Sequence, residues 1–417
     1  MNILPTLPLR RVFRVVNGGT PTPASENWGG EIPWVTPMDL APVDGRIIKE
    51  CGRTLTQKGL SSGSTCVPKG SLIVSTRAPI GYVAEVPCPT AFNQGCRGLV
   101  PLRPVDIRFF RYQLSARGDF LGSRGQGSTF AELSTDSLAS IHVVVPSIKT
   151  QNATADYLDT ETARIDALIE KKQQMIDLLD ERFEAAVFSA ITRGVDGRRP
   201  VRSTVLTWIA EIPADWATPT VSMNFDLQLG KMLNADAAAG PEQHPYLRNV
   251  NVQWGRFDFE DLASMHFDMG DRRRCELRVG DLLVCEGGEV GRAAVWAGEV
   301  SDCYYQKAIH RVRPRHGSNG RYLMYCLRAA AKMSVFAVEG NLSTIVHLTG
   351  EQLRVHRFPW PSSDEQARIV RYLDDIALRH AELNATLEHQ VDLLTERRHA
   401  LITAAVTGEL DIPTVAA

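Results

Sequence analysis

Between about Thr150 and Thr192, Ile165, Ile169, Lys172, Ile176, Leu179, Phe183, Ala186 and Ala190 recur at alternating spacings of four and three. No Pro or Gly interrupts the run. That alternation is a heptad seam along one face of a long helix. Near the C-terminus Leu387, Val391, Leu394, Leu401 and Ala405 lie on a matching seam, with polar His380, Asn384 and Arg398 among them. Each run is roughly 40 residues, about 60 Å of helix at ~1.5 Å per residue. A lone helix cannot hide such a stripe from water, so the two are expected to pair with each other rather than form separate coiled coils. Elsewhere the apolar runs are short. Ser71–Val74 and Asp281–Val284, bounded by Gly and Pro, predict strands and turns. Helices are expected over Asp106–Ala116 and Gly320–Met333, and Pro146 and Pro361 end an extended segment before each long helix.

The pattern occurs twice. Leu133, Leu138, Pro146, Gln151 and Tyr157-Leu158-Asp159 meet Leu348, Leu353, Pro361, Gln366 and Tyr372-Leu373-Asp374, every pair 215 residues apart. Ser128-Thr129 meets Ser343-Thr344 at that offset. Upstream the match continues with small gaps. Gly70, Leu72, Val74 and Gly81 answer to Gly280, Leu282, Val284 and Gly291, Ile32–Leu40 to His244–Val252, and the tetrapeptide from Phe92 to that from Tyr304, which aligns Gln94 with Gln306. The chain is therefore two copies of one unit, a mostly β globule of about 150 residues followed by a long helix. If the helices run antiparallel, the order globule–helix–globule–helix puts the globules at opposite ends of a rod. Globules that bound DNA would then stand more than one ~34 Å helical turn apart, with an unread spacer between two half-sites.

Composition narrows the class. The 417 residues are 44% hydrophobic and 23% charged, a soluble make-up with room for several cores. No apolar stretch is long enough for a membrane span, and the N-terminus lacks the pattern of a signal peptide, so a cytoplasmic protein is expected. The eight cysteines form no C-x-x-C pair and read as small buried thiols in a reducing compartment. Residues 1–146 hold 15 Lys and Arg against 10 Asp and Glu, net +5; residues 147–199 are net −2, 200–361 neutral and 362–417 net −5. Positive charge gathers on a globule and negative charge on the helices, a split that suits nucleic acid on the former and protein partners on the latter.

Catalytic signatures are missing. There is no G-x4-G-K-[ST] phosphate loop, no Asn-Pro-Pro aromatic motif and no H-E-x-x-H spacing. Gly287–Gly291 reads as a tight hairpin rather than a nucleotide loop, and Asp166 with Glu170-Lys171-Lys172 reads as a helix face rather than a nuclease centre.

The paired L-x4-L-x7-P-x4-Q-x5-Y-L-D hinges carry a family resemblance, together with the helix ends at Ile191–Gly194 and Val406–Glu409 and the segment Trp208–Trp216. The chain resembles the specificity subunit of type I restriction–modification systems over nearly its whole length. It departs from the pattern in the first half, where Thr150 and Thr154 stand where the second has Glu365 and Ile369, and where the Trp-containing opening is missing. The resemblance implies an α+β chain of two mostly β target-recognition domains, at 1–146 and 213–361. Long spacer helices over 147–194 and 362–411 pair as an antiparallel coiled coil, with a linker at 195–212 and a tail at 412–417. It implies a non-catalytic subunit that gives its complex a bipartite, asymmetric double-stranded DNA target. Its helices would dock two methyltransferase subunits, with two restriction/translocase subunits joining them. S-adenosylmethionine, ATP and Mg²⁺ would belong to those partners and none to this chain. The competing readings are a stand-alone nuclease or methyltransferase, and a coiled-coil tether without sequence readout.

Base edges are read by forked donors or donor–acceptor pairs, Arg or Lys on guanine and Asn or Gln on adenine. In the first globule such side chains stand at Arg77, Asn93, Gln94 and Arg97, with Arg117 and Arg124 flanking the Gly-rich Gly122–Gly127. In the second they stand at Arg248, Asn249, Arg272, Arg273, Arg274, Gln306 and Lys307. For each single arginine the alternative is an ordinary surface residue. The seam residues expected to hold the helices together are Ile165, Ile169, Ile176, Leu179, Phe183, Leu387, Val391, Leu394 and Leu401.

Overall fold

The computed structural model describes residues 4–125, 131–197, 199–234, 240–336 and 347–412. The Ser128-Thr129 and Ser343-Thr344 match, the last two residues of Gly122–Gly127 and nearly all of the tail lie outside the described residues. The chain divides into two compact units. One joins Met1–Gln173 to Glu388–Ala417, and the other is Gln174–Leu387. The divisions thus fall inside the long helices, not at their ends.

In the first unit a five-stranded sheet has the order Phe13–Asn17, Cys96–Pro101, Leu72–Ser75, Val83–Glu85, Arg46–Ile47. Its centre, Leu72–Ser75, is buried on both faces, which is why its sequence reads as an unbroken apolar run instead of alternating. A four-stranded sheet, Arg53–Leu55, Trp28–Val35, Thr90–Phe92, Thr65–Val67, stands beside it. The second unit repeats the plan with Phe225–Leu229, Ile309–Pro314, Leu282–Cys285, Ala293–Val295 in one sheet and Ala263–His266, Gln243–Leu247, Tyr304–Tyr305 in another.

Strand register fixes which residues correspond. Leu72 pairs with Leu99 and Leu282 with Val312; Trp34 pairs with Ala91 and Tyr246 with Tyr304. Ala91 therefore answers to Tyr304, Asn93 to Gln306 and Gln94 to Lys307. This corrects the sequence alignment of Gln94 with Gln306 by one residue. The aromatic match that anchored it, Phe92 with Tyr304, joined neighbouring positions: Phe92 answers to Tyr305, and both side chains are fully buried.

The long helices run Ile148–Arg193 and Ser363–Thr407. They pair antiparallel. In the first unit Asp166 meets Arg398 at 3.0 Å and the Lys172 ammonium donates to Gln390 at 2.6 Å. In the second, Asp180 accepts from His380 at 2.7 Å and from Asn384 at 2.9 Å, and His380 stacks on Phe183 with ring centres 4.7 Å apart. Every polar residue that interrupted the seam pattern thus has a partner across it. Ile165, Ile176, Phe183 and Leu387 are buried, while Ile169, Leu179, Val391, Leu394 and Leu401 are half-buried. The helix ends belong to the globular cores. Ile402, Ala405 and Val406 pack with Leu9, Phe13 and Leu133, and Phe183, Val187 and Ile191 pack with Trp216, Tyr322 and Leu353.

The repeated hinge motif is a latch between each globule and its own helix. Gln151 donates to Pro146 O at 2.8 Å and accepts from Asp106 N; Gln366 donates to Pro361 O at 3.0 Å and accepts from Asn319 N. Asp106 and Asn319 also cap Ile107–Ser115 and Gly320–Lys332, the two helices foreseen from sequence. Asp159, the last residue of Tyr-Leu-Asp, accepts from Arg108 at 2.8 Å and from Tyr112 at 2.7 Å. Asp374 accepts from Arg321 and Tyr325, both at 2.6 Å. The stretch 195–212, expected as a linker, carries structure: Val201–Ser203 pairs with Glu211–Pro213, and Ile209 and Ile212 join the second core. Gly287–Gly291 does form the turn between the antiparallel strands Leu282–Cys285 and Ala293–Val295. No helix among the described residues is long and apolar enough to cross a membrane.

Candidate nucleic-acid interface

In the first unit, four of the six candidate residues meet where Thr90–Phe92 turns into Cys96–Pro101. Asn93 Oδ1 accepts from Gly95 N at 2.9 Å, closing the turn. Gln94 is exposed and accepts from the Thr20 hydroxyl. Arg77 and Arg97 share the Glu132 carboxylate, each at 3.0 Å. Their surroundings separate them. Arg97, 9% exposed, spends its remaining donors on Thr135 at 2.9 Å and on the carbonyls of Gln94 and Cys96, so it braces the turn from behind. Arg77 keeps 47% of its side chain in solvent. An exposed pair of this kind contributes only about 0–1 kcal/mol, so its guanidinium can exchange a carboxylate for a phosphate at small cost. Arg117 and Arg124 stand apart, each over the Phe120 ring, at 4.6 and 5.0 Å from its centre. Arg117 also donates to His142 O at 2.6 Å, and burial lowers its pKa from the usual value.

The second unit arranges its candidates around the equivalent turn. Lys307 is exposed and Gln306 half-buried. Lys307 N donates to Lys231 O at 2.8 Å, and Lys231 Nζ holds Asp271, which also pairs with Arg274 at 2.9 Å. The short helix Met269–Arg274 is thereby tied to the turn. Arg272 pairs with Glu242 at 3.3 Å, and Arg272, Arg273 and Arg278 line one shallow pocket with Tyr304. Arg248 pairs with Asp261 at 2.7 Å, while Asn249 donates to Gly287 O at 3.0 Å and steadies the hairpin. Sequence reasoning passed over Glu132, Thr20, Lys231 and Asp271, which hold these residues in place. Glu132, Thr20 and Lys231 lie far along the chain from the residues they hold, and no local motif marks them; Asp271 holds Arg274 three residues on but also Lys231, 40 residues back.

The same site differs between the copies. Where the first has Arg97, the second has His310, buried on the strand Ile309–Pro314; where the first has Glu132, the second has His347. The His310 Nε2–H donates to Leu348 O at 3.1 Å, and Glu286 lies 4.0 Å away. Burial holds its pKa below the usual histidine range against the pull of Glu286. Among the described residues no cluster of three or more His, Cys, Asp or Glu is placed to hold a metal ion.

The family model of the type I restriction modification DNA specificity domain matches this chain twice, over residues 6–178 and 213–393. The chain belongs to this family. Each matched copy holds a globule and the start of its helix, which is the repeat unit the fold displays. Among curated relatives, the type I restriction enzyme MjaIX specificity subunit of Methanocaldococcus jannaschii is 33% identical over 177 residues. That match spans 42% of this chain and 40% of the relative. The EcoKI specificity subunit of Escherichia coli is 20% identical over 89% of this chain and 79% of its own length. Among solved structures, a chain from a study of assembly and conformational transition of the type I R-M system superposes with a TM-score of 0.74. It is 16% identical, with 98% of this chain and 99% of that one covered. The HsdS subunit of Thermoanaerobacter tengcongensis gives 0.50 at 17% identity, covering 98% of each. At these identities the structural likeness speaks for the fold. The two DNA specificity domains of this chain thus share one frame and carry unlike side chains at the turn where their candidate residues gather.

Proposed function

We propose that this chain is the non-catalytic subunit that gives a type I restriction–modification complex its DNA target. Each domain reads one half of a bipartite, asymmetric site, and the helices dock the methyltransferase subunits. The observation that carries this is the pairing of one conserved backbone frame with divergent polar turns, Gln94 with Arg77 in one copy and Lys307 with the Met269–Arg274 arginines in the other. A tether would need the frame and the latches but would have no use for two unlike cationic turns. Two methyltransferase and two restriction/translocase subunits complete the complex, and S-adenosylmethionine, ATP and Mg²⁺ act in those partners. The eight unpaired cysteines suit work in the reducing cytoplasm.

The test is co-purification with the host's type I methyltransferase subunit, then mapping of methylated bases on DNA exposed to the complex and S-adenosylmethionine. One interrupted, asymmetric motif that disappears when this chain is omitted is the expected result. Assembly without any methylated motif would favour the tether. No assembly would remove the proposed role of the helices.

A further inference from the structure

The corrected register singles out one exposed position in each copy. We propose that Gln94 and Lys307 are equivalent base-reading residues, each setting the preference at one base pair in its own half of the target. The inference rests on the DNA-reading role above and adds which residue performs it.

Three backbone hydrogen bonds recur around this position. Asn93 N donates to Val35 O at 2.9 Å and Gln306 N to Leu247 O at 3.1 Å. Cys96 N donates to Asn93 O at 3.1 Å and Ile309 N to Gln306 O at 3.0 Å. Gly19 N donates to Phe92 O at 2.9 Å and Lys231 N to Tyr305 O at 3.1 Å. A glycine lies against the turn in both copies. A Cβ on Gly18 would fall 2.0 Å from Asn93 O, and one on Gly230 would fall 2.3 Å from Gln306 O. The turn is therefore clamped from behind at the residue before the exposed one, and the next side chain is carried on a rigid support. Rigid support is what base reading requires, because a forked contact tolerates little misplacement.

The two side chains differ in what they complement. The Thr20 hydroxyl donates to Gln94 Oε1 and so orients the amide, leaving its NH₂ and a second lone pair on Oε1 open. An acceptor beside a donor complements the N6 and N7 edge of adenine. Lys307 offers only donors, which complement guanine O6 and N7. The preceding residues do not compete for this role: Asn93 is spent on closing its turn, and Gln306 is half-buried.

The experiment uses the full chain in complex with its methyltransferase. Gln94→Lys and Lys307→Gln are made separately and methylation is read out over a library with both half-sites randomised. Each substitution is expected to move the preference at one base pair of one half-site by roughly 5- to 150-fold, leaving the other half unchanged. Gln94→Ala and Lys307→Ala relax the same base pairs without creating a new preference. An unchanged motif in both exchanged variants would overturn the proposal. So would a loss of methylation spread evenly over all sequences, accompanied in Lys307→Gln by a salt slope shallower by about one, which marks a phosphate contact. If the unsubstituted complex yields no motif at all, the DNA-reading role itself fails.

Discussion

His310 and Arg97 occupy one buried position in two copies of the same strand, and each is satisfied by different means. The Arg97 guanidinium pairs with the Glu132 carboxylate. His310 stays neutral because desolvation outweighs Glu286, and Arg354 adds to the lowering. On unfolding, His310 regains its ordinary affinity for a proton. Below the unfolded histidine pKa of about 6.5 the unfolded chain therefore binds more protons, and stability falls as pH drops. The second unit is expected to lose stability between pH 7 and the lowered folded pKa. His310→Gln should flatten that slope in urea unfolding followed across this range. At Glu132 the expected effect is on DNA. Glu132→Gln removes the shared carboxylate from Arg77 and Arg97. Titrations against non-cognate duplex at several salt concentrations should show tighter binding and a slope steeper by about one; an unchanged slope would mean Arg77 does not reach phosphate.

At the scale of elements, the latch and the seam hold the fold together. Asp159 and Asp374 each gather an arginine and a tyrosine from a helix of the globule. Replacing either by Ala strands those donors. Hydrogen bonds to a charged group contribute about 1.5–3 kcal/mol each, and the partial exposure of both carboxylates keeps the expected loss near the lower figure. Asp159→Ala should cost more than Asp374→Ala, because Arg111 also bonds Asp159, at 3.2 Å. Denaturation midpoints of the two variants decide the order. Phe183 stacks on the His380 ring and carries the Arg328 guanidinium over its own ring, 4.7 Å from each, and is 5% exposed. Phe183→Ala is expected to destabilise the second unit by about 3–5 kcal/mol. The seam could be read from sequence because heptad spacing is local and periodic. The latch motif could be seen as a repeat, but its purpose could not. Gln151 and Asp159 act on Asp106, Arg108 and Tyr112, some 45 to 51 residues away.

For the whole molecule, the first unit is built from two stretches of chain far apart in sequence. Its core includes Ile402, Ala405 and Val406, and Leu410 and Ile412 pack against it. A fragment ending near residue 173 lacks that wall and exposes Leu9, Phe13 and Leu133 to water. It is expected to be unfolded or aggregated when expressed alone, and to gain a cooperative unfolding transition when residues 388–417 are supplied in trans. A cooperative transition for the isolated fragment would show that the C-terminal helix is dispensable to that core. The stretch 174–387, continuous and carrying its own core, should unfold cooperatively by itself.

The sequence by itself determined the repeat, the two long helices, the helices after Asp106 and Asn319, and the class of side chain able to read bases. Each of these follows from spacing along the chain, where helix period, hinge spacing and turn residues act over a few positions. Only the tertiary structure decided that Gln94 answers to Lys307, that Arg97 is braced inside while Arg77 faces solvent, and that the first globular core borrows the end of the distant C-terminal helix. Those outcomes depend on strand register and on contacts between residues far apart in sequence. A shift of one residue there reverses which side chain faces outward, and similar neighbours such as Tyr304 and Tyr305 leave the sequence unable to choose.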